Sequence, residues 1–263
     1  MIFRRLIISS VLLFSLASYN SPVANVSSQR GSIDWQNRIL TVTGIGAPPA
    51  DGPDASKRPN AIRAAQVTAM RDALEILKGV SLTYDSDLVK SQIEGYIENF
   101  EQNGNARYMS DGTVEITYNI PLQGRNLDLL LPDNVKDIPQ IRLAEEGVTP
   151  LVTGVIVDCR ELEIVHSVLP MLFDESGSVV YGPQYVSRQW ALKWGTAGFA
   201  SDLDEAKAMV ERIGQNPVVV RGISTAGIEK TGATISNEDA AIVLGFQRNL
   251  PVLNQCRIIF VTD

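Results

Sequence analysis

One histidine, two cysteines, two acidic clusters and a run of aromatic residues are the side chains here from which chemistry could be built. His166 is the sole histidine and sits in Ile164-Val165-His166-Ser167-Val168, among apolar neighbours. An imidazole can serve as a general base, but a lone one in such a setting reads as a structural side chain. No Gly-x-Ser-x-Gly elbow, Ser-x-x-Lys, His-Glu-x-x-His or EF-hand loop occurs. Asp158, Glu161 and Glu163 form one acidic cluster; Asp202, Asp204 and Glu205 form another. A facing carboxylate pair could hydrolyse a glycoside. Carboxylates at a helix start are explained more simply by capping and the macrodipole. No catalytic residue is assigned, and the chain is expected not to be an enzyme.

Cys159 and Cys256 are the only cysteines. In an oxidising compartment they could pair, closing a loop worth roughly 4–5 kcal/mol on the chain-entropy model. Two buried free thiols are the other reading. Two isolated cysteines and one histidine offer no zinc-ligand spacing, so no metal is expected. Gly44-Ile45-Gly46 follows a strand pattern, as dinucleotide-binding glycines do. That site also needs a third glycine and a helix that opens at once. Here a Pro-rich stretch intervenes, so the glycines read as a strand end and no cofactor is expected. Tyr181, Tyr185, Trp190, Trp194 and Phe199 crowd one segment. Aromatics are enriched at interaction hot spots, which makes this segment the candidate partner-binding face; ordinary core is the competing reading.

These residues must be positioned by two sets of elements. Ile39 to Gly46 is rich in β-branched residues, as a strand is. Ala47 to Pro59 reads as a loop, with Asn60 as the cap of the following helix. At about 100° per residue, Ile62, Ala65, Ala69, Ala73 and Ile76 fall in one line. That alanine line lets the helix lie close on a sheet, and Gly79 reads as its stop. Ser110-Asp111-Gly112 is a turn signal. Val114, Ile116, Tyr118 and Ile120 then alternate inward along a strand. Asn126 to Thr149 is mainly a connection. Beyond it, Leu151 to Val157 reads as a strand buried on both faces, and Leu169–Phe173 with Val179–Tyr181 as a hairpin. Asp202 and Glu205 open a helix stopped by Gly214, Ser236 with Asp239 opens another, and Cys256–Val261 is a last strand.

The expected fold class is α+β, in two domains, each a mainly antiparallel sheet carrying helices. The bounds are 33–124 and 150–263, with 125–149 as linker and 1–24 as signal peptide and tail. At 263 residues, 44% hydrophobic and 20% charged, the chain has the composition of a folded globular protein. Its net charge of −7 argues against nucleic acid as a partner. Arg4-Arg5 followed by an apolar run from Leu6 to Ala17 is the pattern of a secretory signal. That run is too short to span a bilayer. Periplasmic or outer-membrane-associated localisation is expected, with no transmembrane segment after cleavage.

Val42-Thr43-Gly44-Ile45-Gly46, the Ala65, Ala69, Ala73 series with Leu74 and Leu77, Gly79-Val80 and Asp111-Gly112-Thr113-Val114-Glu115-Ile116 together resemble a known pattern. They look like the bacterial surface-lipoprotein family called Lpp-twenty, and are similar to the N-terminal domain of the flagellar assembly protein FlgT and to FlgP, over about residues 38–122. The resemblance implies an exported, non-enzymatic domain of envelope or flagellar assemblies, with envelope or flagellar proteins or further copies of the chain as partners. A periplasmic module for a small ligand or wall component is the alternative. Lipoprotein members carry a lipidated cysteine; in this sequence no cysteine directly follows the apolar run.

Overall fold

A computed structural model describes residues 27–28, 31–51, 53–80, 101–138, 152–245 and 250–263. The expected signal peptide lies outside these residues.

The fold is α+β. Its first sheet is antiparallel throughout, built from β1 (Ser27–Ser28), β2 (Gly31–Asp34), β3 (Ile39–Gly46), β4 (Glu101–Gln102), β5 (Arg107–Tyr108) and β6 (Val114–Pro121). β3 and β6 pair along their whole length, Leu40 opposite Ile120 and Gly46 opposite Val114. The alternation along β6 is as expected: Val114, Ile116, Tyr118 and Ile120 are buried. The turn before it closes when Met109 N–H donates to the Thr113 carbonyl and Gly112 takes a φ of 83°.

Helix α1 (Asp54–Val80) lies on β3 and β6. It begins before Asn60, so the expected cap is interior. Ser56 N–H and Oγ both donate to the Pro53 carbonyl and Lys57 pairs with Asp54 at 2.7 Å, which organises the earlier start. Pro59 is tolerated in the second turn, where its ring leaves only the Ala55 carbonyl without its helical partner. Gly79 is likewise helical, not a stop.

The buried line is Ala61, Ala65, Ala69, Ala73 and Ile76; Ile62 flanks it. It meets glycine on the sheet. A Cβ on Gly44 would stand 1.9 Å from the Ala65 carbonyl oxygen, and one on Gly46 2.1 Å from that of Ala61. The glycines of Gly44-Ile45-Gly46 are therefore where helix backbone and strand backbone touch.

The second sheet is mixed, with four of its six pairings parallel where a mainly antiparallel sheet was expected. Its order is β10 (Gly198–Ala200), β13 (Ile258–Val261), β7 (Gly154–Asp158), β11 (Pro217–Ala226), β12 (Gly232–Ile235), β8 (Met171–Asp174), β9 (Val179–Tyr181). Pairings β10/β13, β13/β7, β7/β11 and β12/β8 are parallel; β11/β12 and β8/β9 are antiparallel. The parallel pairs are possible because helices supply the crossovers. Val155 and Val157 of β7 face the main core, while Ile156 faces a second cluster under α4 (Leu203–Ala208) and α5 (Val210–Ile213). This strand is buried on both faces, as its apolar run implies. Asp202 caps α4 by accepting from Glu205 N–H at 2.7 Å, but the expected helix to Ile213 breaks at Met209 (ψ 50°).

The two sheets share one core, in which Ile33, Leu40 and Ile120 join Val157, Leu172 and Phe260. The start of the expected linker is packed into it. α2 (Gly124–Asp128) and the residues after it bury Leu127, Leu130, Leu131 and Val135. Arg188, first residue of α3 (Arg188–Trp194), holds that segment through Asp128 Oδ1 at 2.6 Å and the Val135 carbonyl at 3.0 Å.

Candidate functional site

The seam between the sheets is formed by the turn Trp35–Arg38, which joins β2 to β3. Asp34 accepts from Asn37 N–H at 2.9 Å and from Asn37 Nδ2 at 2.7 Å, which fixes the turn. Arg38 closes it at φ 56°, a left-handed conformation that costs a non-glycine residue of order 1 kcal/mol. Its carbonyl accepts from Leu122 N–H at 2.7 Å. Trp35 is thereby driven into the second sheet, and Gln36 donates to Glu205 Oε1 at 2.5 Å.

His166 is the other half of this contact. Its ring stacks on Trp35 at 5.8 Å between centroids and 19° between planes, and meets the Phe199 ring edge-on at 4.4 Å. His166 Nε2 pairs with Thr262 Oγ1 at 3.0 Å. Burial pushes the imidazole pKa down to about 4, so it is neutral near pH 7. The sole histidine is a packing group between the sheets.

A small cavity of about 20 Å³ lies beside that stack, lined by Trp35, Arg38, Ser167, Val168 and Phe199 among others. It adjoins a cleft of about 490 Å³ that shares Trp35, Arg38 and Phe199 and continues over Trp194, Met209 and Arg212. Two guanidinium groups face this region. Arg212 is buried; its Nη1 donates to the Cys256 carbonyl at 2.8 Å and its Nη2 to the Trp194 carbonyl. Burial brings its pKa down to about 10, and the neighbouring Arg38 charge acts in the same direction. Arg38 is itself lowered by burial. Among the described residues neither forms a carboxylate ion pair; Glu211 stands at the cleft rim. The region is a set of hydrogen-bond donors on an aromatic floor, suited to binding an acceptor.

The residues singled out in the sequence are distributed otherwise. Tyr181 and Phe199 are core, so they are not part of an exposed partner face; Tyr181 donates its hydroxyl to the Thr196 carbonyl at 2.5 Å. Tyr185, Trp190 and Trp194 are half-buried. Trp190 and Trp194 pack together at 5.1 Å, and Trp194 Nε1 donates to the Gln255 carbonyl at 2.8 Å. Of the five, Phe199 and Trp194 reach the cleft.

Cys159 and Cys256 are free thiols, both buried, and the pairing weighed from sequence is not made. The parallel register of β7 and β13 explains why. Asp158 lies opposite Val261, so Cys159 follows the C-terminal end of β7 while Cys256 precedes the start of β13. Six residues of strand at about 3.3 Å each separate them by roughly 20 Å, far beyond disulfide reach. Burial raises each pKa to about 12.

Glu161 and Glu163 are exposed and ion-paired, to Arg221 at 3.6 Å and Lys230 at 2.8 Å. Asp158 is held by Arg160 at 2.7 Å, whose hydrogen bonds lower the carboxyl pKa. The three carboxylates do not converge on the cleft. Among the described residues no three His, Cys, Asp or Glu side chains come together as a metal site requires, and no helix is long and apolar enough to cross a membrane.

Trp35, Arg38, Ser167 and Arg212 were not singled out by sequence reasoning. The one available signal was Trp35 in an otherwise polar stretch ahead of a strand.

Residues 154–263 match the family model described as the second domain of Treponema pallidum Tp0624. No curated protein matches the chain.

Proposed function

We propose that this is an exported, non-enzymatic structural or assembly protein of the bacterial cell envelope, working through its surfaces. One observation supports it most. The sole histidine, both cysteines and the Asp158 cluster are each committed to packing or to surface ion pairs. The secretory pattern of Arg4 to Ala17 and the lipoprotein-like residues 38–122 favour the envelope, and the resemblance to FlgT and FlgP makes the flagellar base the first place to look. The match of residues 154–263 to a domain of another protein supports treating that half as a recurring unit. The test is in-cell crosslinking of the full chain with identification of what it captures, alongside cell fractionation. Capture of envelope or flagellar components, or of further copies of the chain, is the expected result. A cytoplasmic protein that never enriches envelope material would overturn the reading.

A second reading, a periplasmic small-ligand module, is favoured by the cleft of about 490 Å³ at the seam. That size falls within the usual range of ligand pockets.

A further inference from the structure

The seam holds three hydrogen-bonding side chains that each carry a buried polar atom without a partner. Trp35 is 6% exposed and Ser167 2% exposed, and Trp35 Nε1, Arg38 Nη1 and Ser167 Oγ are all buried without one. An unmet buried donor costs about 1–3 kcal/mol, more for a charged group, so three on residues that line one cavity call for an occupant. Indole N–H and guanidinium N–H can only donate, and the hydroxyl can donate as well. The occupant must therefore be rich in acceptors. The cavity of about 20 Å³ has room for one water-sized group.

A water would accept from two of these donors, but it would leave the charge of Arg38 as it is. Arg38, half-buried, has no carboxylate partner among the described residues and lies near the buried cation Arg212, whose own hydrogen bonds go to neutral carbonyls. Desolvated like charges are stabilised by a counter-ion between them. The chain as a whole is acidic, so this local concentration of cationic donors runs against its overall charge. The adjoining cleft over Trp194 and Met209 then gives the rest of a ligand an apolar bed.

We propose that the seam binds a small molecule carrying an oxyanion, a carboxylate or a phosphate. One oxygen sits among Trp35 Nε1, Arg38 Nη1 and Ser167 Oγ, and an apolar body lies along Trp194. This assignment deepens the ligand-binding reading above and rests on it.

The test uses the full exported chain and three probes of similar shape: benzoate, phenyl phosphate and benzamide. Tryptophan fluorescence and thermal shift are read at constant ionic strength. At least one anion should bind saturably and at least tenfold more tightly than neutral benzamide, and which of the two wins separates carboxylate from phosphate. A charge-assisted hydrogen bond is worth one to two decades of affinity. Arg38→Gln should therefore weaken the preferred anion tenfold or more, and Arg38→Lys less. Ser167→Ala, a smaller change, should weaken it severalfold and guards against misfolding of the arginine variants. A crystal soaked with the preferred anion should show its oxygen on Trp35 Nε1. Benzamide binding as well as both anions, or a lone water at Trp35 Nε1 in the soaked crystal, would overturn the oxyanion assignment while leaving a ligand cleft. Binding of none of the three would remove both.

Discussion

His166 is a neutral ring where two sheets meet. Its pKa falls from an ordinary 6.5 to about 4 because burial between Trp35 and Phe199 penalises the imidazolium. The folded state therefore binds this proton less readily than the unfolded chain does. The resulting stability is fully present above pH 6.5 and is lost as pH falls towards 4, to a total of about 3 kcal/mol. The expected outcome is a urea midpoint that declines between pH 6.5 and 4.5 in the native sequence and stays nearly level over that window in His166→Gln. Asp158 works at lower pH. Its Arg160 hydrogen bonds lower its pKa, so its contribution is lost only below the usual carboxylate range. A decline of equal size in His166→Gln would show that the imidazole is not the titrating group.

At the scale of elements, the contact of α1 with β3 rests on backbone meeting backbone. Gly44→Ala would drive a methyl into the Ala65 carbonyl oxygen, 1.9 Å away, with helix and strand both fixed. It should destabilise by roughly 3 kcal/mol. Gly79 belongs to the same helix, is exposed, and has nothing within 4 Å of an added Cβ. Gly79→Ala should leave stability unchanged or raise it by about 0.5–1 kcal/mol through helix propensity. Chemical denaturation of the pair checks both, and equal effects would refute the close-approach account. The same packing shows why Gly44-Ile45-Gly46 resembles a nucleotide loop. Both uses need a bare backbone, in one case for a phosphate and here for a helix.

Across the whole molecule, the sheets are joined by apolar packing and by a few directed bonds. Arg188 is the most connected of these, bonding to the side chain and carbonyl of Asp128 and to the Val135 carbonyl. Its group is about a quarter exposed, so solvent screening reduces its worth. Arg188→Ala should cost about 1–2 kcal/mol. Because core residues run continuously from Leu40 to Phe260, near-UV and far-UV probes should report one unfolding transition, shifted as a unit in the variant. Two separated transitions in the native chain would show that the shared core does not couple the sheets.

What could be read directly was whatever repeats along the chain. Period-2 alternation from Val114 to Ile120 and the four-residue spacing of Ala65, Ala69 and Ala73 record burial on one face of one element, and burial is what selects those residues. The caps at Asp202 and Ser236 were legible for the same reason, since each acts on a backbone group three residues away. The start of α1 was not, because Pro59 signals a break that Asp54 and Ser56 override locally. Nor was the failure of Cys159 to meet Cys256, which follows from the parallel register of β7 on β13.

The cleft was least legible of all. Trp35 and Arg38 of one turn, Ser167 and Arg212 come from three segments with no shared period. Composition and pattern thus determined the α+β class, the alanine-lined helix and the main buried faces, since each depends on near neighbours in the chain. Only tertiary structure decided that a turn would carry Trp35 onto His166 and leave three buried polar atoms unpartnered. A site of that kind is made by long-range contacts, and such contacts leave no periodic trace in the residues that form them.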